Sequence, residues 1–146
     1  MEWMLMPFRR YAEFSGRSRR MEYWMFTLLN LLVAGAIGLV VGLGAPGAFF
    51  PGGPPAFGGL FYAGMLMAAI WVLAVIIPGI AVTVRRLHDR DMSGWWYLGF
   101  AVLSAIPLVG IVAGIAFLVV LCLDGTPGEN RFGPNPKERS GYGVLA

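Results

Sequence analysis

Apolar residues dominate this chain in long uninterrupted blocks, and the charged residues are held apart from them. None falls between Tyr23 and Val84, and none between Met92 and Leu123. Stretches of that length without a charge predict membrane-spanning helices, because water cannot be their solvent.

The first block, Trp24 to Leu43, follows a long polar lead and exceeds the roughly 7–15 apolar residues of a secretion-signal core. It is predicted as a retained helix over residues 23–43, with residues 1–22 as a basic cytoplasmic segment. Ser18 is the expected N-cap, and Glu22 in the first turn suits the positive end of the helix dipole. Residues 44–59, rich in Gly and Pro and free of charge, predict a connecting loop on the far side. There Phe49, Phe50 and Phe57 are expected to dip into the interface.

Residues 60–84 predict a second span of ~37 Å at 1.5 Å per residue, bent at Pro78-Gly79. The third block, Trp95 to Leu123, would be ~43 Å as one helix, and Pro107-Leu108-Val109-Gly110 interrupts it near its middle. A short hairpin, 95–106 and 111–123, fits better than one straight span. The fold class expected is therefore an all-α, polytopic transmembrane helical bundle of four helices, with three as the alternative. The whole chain, 1–146, forms a single membrane domain, with 85–94 as a cytoplasmic loop and 124–146 as a tail.

Composition agrees: 58% of residues are hydrophobic and 13% charged, outside the balance of soluble domains. Arg9, Arg10, Arg17, Arg19 and Arg20 precede the first span, and Arg85, Arg86 and Arg90 follow the second. By the positive-inside rule both groups, and hence the N-terminus, are expected in the cytoplasm of a bacterial inner membrane. Charge alone does not place the tail; a hairpin would return it inside. The net charge of +3 is explained by topology, so no nucleic acid is expected as a partner.

Ala34, Gly38 and Gly42, and again Gly110 and Gly114, recur every four residues, as on faces where helix backbones approach within a chain or between copies. The single cysteine, Cys122, has no disulfide or metal partner in one chain and is expected as a small packed side chain.

Three polar blocks stand out. They are Tyr11-x-x-Phe14-x-Gly16-Arg17-Ser18-Arg19-Arg20-x-x-Tyr23-Trp24, then Arg85-Arg86-Leu87-His88-Asp89 with Ser93-Gly94-Trp95-Trp96, and Gly125-Thr126-Pro127-Gly128-x-Asn130-Arg131-Phe132-Gly133-Pro134-Asn135-Pro136. Together they resemble the domain-of-unknown-function 805 family of small inner-membrane proteins, over most of the chain. The resemblance implies a multi-pass membrane location and no established activity. Arg90-Asp91-Met92 departs from it, standing where a small or turn-forming residue such as Thr-Gly is expected, and the Gly/Pro loop is long.

Arg17, Arg19, Arg20, Arg85, Arg86, His88 and Asp89 are the candidates for contact with anionic lipid headgroups or a partner. If the second helix continues a turn, Arg85 and Asp89, four apart, can pair. Tyr23, Trp24, Trp95 and Trp96 are expected as interfacial anchors, with Ser93 capping the following helix. A catalytic reading would use His88 as a base oriented by Asp89, with Arg17, Arg85 and Arg86 holding a phosphate-bearing or lipid substrate. Sequence neighbours do not face each other on a helix and no nucleophile is marked out, so no catalytic residue is assigned. No metal site or cofactor is expected.

Three function classes follow: an accessory or interaction protein binding lipid, a membrane-protein partner or a second copy; a small transporter or channel subunit; and an interfacial enzyme. Transport would call for polar groups within the spans. Only Thr27, Asn30, Thr83 and Ser104 offer themselves, and each can bond to its own helix.

Overall fold

The apolar blocks become helices in the computed structural model, which describes residues 2–45 and 57–137. Five helices follow in order: α1 (Glu2–Arg9), α2 (Arg20–Leu43), α3 (Gly59–Asp89), α4 (Trp95–Ser104) and α5 (Val109–Cys122). No strand occurs among the described residues; Asn130 and Gly133 form one isolated bridge. At 1.5 Å per residue α2 is ~36 Å long and α3 ~46 Å, both enough for a ~30 Å hydrocarbon core, whereas α4 and α5 reach only ~15 and ~21 Å.

α2 and α3 form the principal helix pair. Their backbones come close because Gly64 has no side chain: a Cβ there would lie 3.1 Å from the Val41 nitrogen. Of the expected small-residue positions, Gly110 does serve a close approach, since a Cβ there would lie 2.6 Å from the Ser104 carbonyl oxygen, whereas Gly38 and Gly114 do not. Ala34 and Gly38 are exposed, and nothing lies within 4 Å of a Cβ built on Gly38 or Gly114. Pro78 is accommodated inside α3. The loop expected over residues 44–59 lies mostly outside the described residues, Phe49 and Phe50 with it; Phe57 is exposed, its ring 4.5 Å from that of Phe61.

The third block is indeed a hairpin. α4 and α5 pack on each other, with the corner at residues 105–108, where Leu108 takes a φ of 64°. The surface of the bundle is inverted relative to a soluble domain: Leu31 is 68% exposed, Leu73 71% and Val112 68%. So continuous an apolar surface requires lipid.

Several local expectations need correction. The N-terminal segment is not simply a basic lead, because α1 forms within it and inserts Phe8 edge-on between Phe26 and Trp71, at 5.5 and 6.1 Å. α2 begins at Arg20 with Arg19 as its N-cap residue, and Ser18 does not cap it. Ser18 is instead fully buried, its N–H donating to the Arg85 carbonyl at 3.1 Å. Cys122, at the end of α5, is exposed rather than packed. α3 runs five residues beyond Val84, so the Arg85-Arg86 block is the end of a helix and not a loop.

The turn after α3 explains the departure at Arg90-Asp91-Met92. Asp91 has a φ of 58°, the left-handed region where Gly is unstrained. Asp91→Gly should therefore raise the unfolding free energy in detergent slightly, by no more than about 1 kcal/mol. Its exposed pair with Arg131, at 3.1 Å, contributes little in opposition. A thermal melt checks this, and a clear loss of stability would contradict it.

Candidate functional site: a buried arginine junction and its pocket

The best-buried part of the molecule is polar. Arg85 and Arg86 are fully buried, and Arg17, Ser18, Glu22, His88 and Asp89 are buried around them. All three polar blocks meet here, at one end of the bundle: the first from the entry to α2, the second from the end of α3, the third from the chain after α5.

Asp89 is the hub. Its Oδ1 accepts from Arg17 Nε at 2.9 Å and its Oδ2 from Arg86 Nη1. Helix geometry puts Arg86 one turn before Asp89, so this i,i+3 pair forms in place of the expected pairing of Arg85 with Asp89. Arg85 points the other way. Its Nη2 meets Glu22 Oε1 at 2.8 Å and its Nη1 donates to the Glu13 carbonyl. Glu22 thus does more than complement a helix dipole: it neutralises a fully buried guanidinium. Arg85 Nε is buried without a hydrogen-bond partner among the described residues.

The remaining donors of these arginines knit the tail to the helices. Arg17 donates to the carbonyls of Thr126 at 2.6 Å and Gly128 at 2.7 Å. Arg86 donates to Leu121 O at 3.1 Å and to Leu123 O, and Arg20 to Cys122 O at 3.2 Å. The last carbonyls of α5 have no intrahelical partner, so these cations satisfy them and oppose the negative pole of the helix. Gly16, at a φ of 81°, turns its carbonyl to His88 Nδ1 at 3.2 Å. The His88 ring stacks on Phe132 at 3.8 Å between centroids, and Asn130 Nδ2 donates to the His88 carbonyl at 2.9 Å. Held by a carbonyl on one edge and a ring on its face, His88 is a packing residue of this junction.

Among the candidate residues, then, Arg17, Arg85, Arg86, His88 and Asp89 are brought together and turned inward, while Arg19 and Arg20 lie at the rim. Arg20 pairs with Asp124 at 2.8 Å, and Lys137 meets the same carboxylate at 2.6 Å. The Lys137 hydrogen bond, more than any other contact, holds the Asp124 carboxyl below its ordinary range. Arg19 donates from Nε to the Pro136 carbonyl at 2.9 Å, and its guanidinium lies 5.4 Å above the Trp3 ring. Arg19 has no carboxylate within ion-pair distance among the described residues.

Beside the junction opens a pocket of about 570 Å³ between α1, the entry to α2 and the tail. Trp3, Arg10, Arg19, Glu13, Glu22 and Phe132 are among its walls. Sequence reasoning missed Trp3, Arg10, Glu13 and Phe132 as site residues, although Phe132 lay within a quoted motif. Arg10 grips Glu13 through Nε at 2.7 Å and Nη2 at 2.9 Å; that hydrogen bond is the main reason the Glu13 carboxyl is held below its ordinary range. Arg10 Nη1 stays 4.0 Å from Glu22 Oε2, beyond hydrogen-bond length.

The four polar side chains expected within the spans are self-satisfied. Thr27, Asn30, Thr83 and Ser104 each donate to the carbonyl four residues back, at 2.7–2.9 Å. Trp95 is 76% exposed and Trp96 52%, Trp24 is exposed and Tyr23 half-buried. The Ser93 hydroxyl accepts a long 3.4 Å bond from the Trp95 N–H, while Gly94 takes the N-cap position.

Residues 11–134 match a family described as "Protein of unknown function (DUF805)". The inner membrane protein YhaI of Escherichia coli K12 is 39% identical over 140 residues, covering 94% of this chain and 97% of its own. The inner membrane protein YhaH of the same strain is 40% identical over 138 residues, with coverage of 94% and 98%. The uncharacterized protein YiiR of that strain is 30% identical over 112 residues, 55% of this chain and 77% of its own. No solved structure matches the chain. With a buried arginine junction built from the three polar blocks, and relatives in the inner membrane matched nearly end to end, the chain is an inner-membrane protein and belongs to the DUF805 family.

Proposed function

We propose that this chain is an accessory protein of the inner membrane whose cytoplasmic face is a binding surface for a lipid headgroup or a membrane-protein partner. The observation that carries the reading is the pocket of about 570 Å³ at the junction. Such a concave, mixed apolar and charged site is the usual form of a ligand-binding surface. The arginines beneath it are spent on holding the backbone, which leaves the pocket walls as the surface that can act on something else.

In this reading α2 leaves the cytoplasm and α3 returns to it, placing Arg17, Arg85 and Arg90 inside in accordance with the positive-inside rule. The α4–α5 hairpin enters and leaves from that same side, its arms too short to cross, and Tyr23, Trp24, Trp95 and Trp96 anchor the helices at the interface. The self-satisfied Thr and Asn side chains in the spans argue against a conducting or transporting role. His88, committed to Gly16 and Phe132, is a poor proton-transfer group.

A reporter fused after Ala146 that signals differently in cytoplasm and periplasm tests the topology. A cytoplasmic signal is expected. A periplasmic one would sever the third polar block from the other two and end the reading.

A further inference from the structure

The junction and its pocket carry more positive charge than they neutralise. Five guanidiniums, those of Arg10, Arg17, Arg19, Arg85 and Arg86, face three carboxylates, those of Glu13, Glu22 and Asp89, among the described residues. Asp89 is shared by two arginines, so one positive charge there is answered only by backbone carbonyls, those at the end of α5 and those of Thr126 and Gly128. The other unanswered charge is Arg19, and it faces the pocket.

The donors left over belong to two residues of the pocket wall. Arg19 uses Nε and Nη2 on the Pro136 carbonyl, and Arg10 uses Nε and Nη2 on Glu13. Among the described residues Nη1 of each has no hydrogen bond, that of Arg10 lying 4.0 Å from Glu22 Oε2, and both residues line the pocket. Trp3 supports the Arg19 guanidinium from one side and, with Met6, gives the pocket an apolar wall. Two guanidinium edges beside an apolar wall, with a net positive charge, match a tetrahedral oxyanion attached to something less polar.

From this we infer that the pocket binds a phosphate group, held by Arg19 and Arg10, with Arg19 as the principal contact. The inference rests on the reading of this face as a binding surface and names the chemistry of what it binds. The phosphate belongs either to a phospholipid headgroup or to a soluble phosphate compound, and the test separates the two.

The full chain would be reconstituted in nanodiscs of phosphatidylcholine, alone or doped with phosphatidic acid, and the lipid retained would be read by native mass spectrometry. In parallel, inorganic phosphate would be titrated onto protein in phosphatidylcholine alone and followed by phosphorus NMR. Retention of phosphatidic acid over phosphatidylcholine with no response to inorganic phosphate identifies the lipid as the source. Saturable binding of inorganic phosphate identifies a soluble compound. In either arm Arg19→Gln should weaken binding about tenfold, the worth of one charge-assisted hydrogen bond, and Arg19→Lys should restore most of it.

Arg19 also holds Pro136, so each variant is first melted against wild type; Arg10→Gln, expected to weaken binding about threefold, supplies a second readout should Arg19→Gln fold poorly. The inference is overturned if wild type prefers neither phosphate source, or if folded Arg19→Gln and Arg10→Gln bind as wild type does. Should wild type instead capture a protein through this face, the inference fails while the accessory reading stands.

Discussion

Replacing Asp89 by Asn should cost about 3–5 kcal/mol of stability, enough to empty the membrane of folded protein under ordinary expression. The substitution keeps the shape of the side chain and removes only its charge. Arg17 and Arg86 both rest on that charge, and neither has another carboxylate within ion-pair distance among the described residues. Both are also out of reach of water, with side chains 1% and 0% exposed. Removing one partner of a buried ion pair is far more damaging than never having had the pair, because the cation left behind remains desolvated. Asp91→Asn is the matched control: its partner Arg131 is exposed, so the change should stay within about 1 kcal/mol. Thermal unfolding in detergent, followed by loss of helical signal, compares the two. If Asp89→Asn melts with wild type while Asp91→Asn does too, the junction does not hold the fold together.

What could be read in the sequence, and what could not, follows from the range of the forces involved. Where the solvent is lipid, the run of apolar residues alone decides that Trp24 to Leu43 and Leu60 to Val84 are helices, and the Pro107-Gly110 corner is a local backbone signal. The three polar blocks were visible for the same reason, as charges where the rest of the chain has none. Their wiring was not. Whether Arg85 or Arg86 takes Asp89 depends on which side of α3 the neighbouring chain lies. Glu22, Gly16 and Thr126 come from segments far along the sequence and announce nothing by spacing. Ser18 reads as a cap by type, yet its N–H is taken by the Arg85 carbonyl once the N-terminal segment folds over α3. Cys122 reads as a buried small residue because most are, but at the end of a lipid-facing helix the outward side is as apolar as the inward one. α1 was missed because an eight-residue helix containing Pro7 has little intrinsic stability; Phe8 packing against Phe26 and Trp71 supplies it.

Gly125→Ala should destabilise the protein by about 3 kcal/mol, and the cost should nearly vanish when Asp89 is also changed to Ala. Gly125 opens the third polar block, and a Cβ there would lie 2.5 Å from Cγ of Asp89 and 2.6 Å from its Oδ1, closer still to Oδ2. The backbone cannot yield freely, because the next residue, Thr126, donates its N–H to the Asp89 carbonyl at 2.8 Å and gives its own carbonyl to Arg17. The carboxylate cannot yield either without leaving the two arginines that hold it. A methyl group at residue 125 therefore has to break an ion pair or lift the tail off α3. With Ala at residue 89 there is nothing to strike, so the double variant should be no less stable than Asp89→Ala alone, a coupling of about 2 kcal/mol or more between residues 36 positions apart. Additive losses in the same melts would mean that the tail does not close over Asp89, and that the three blocks share a membrane face without forming one junction.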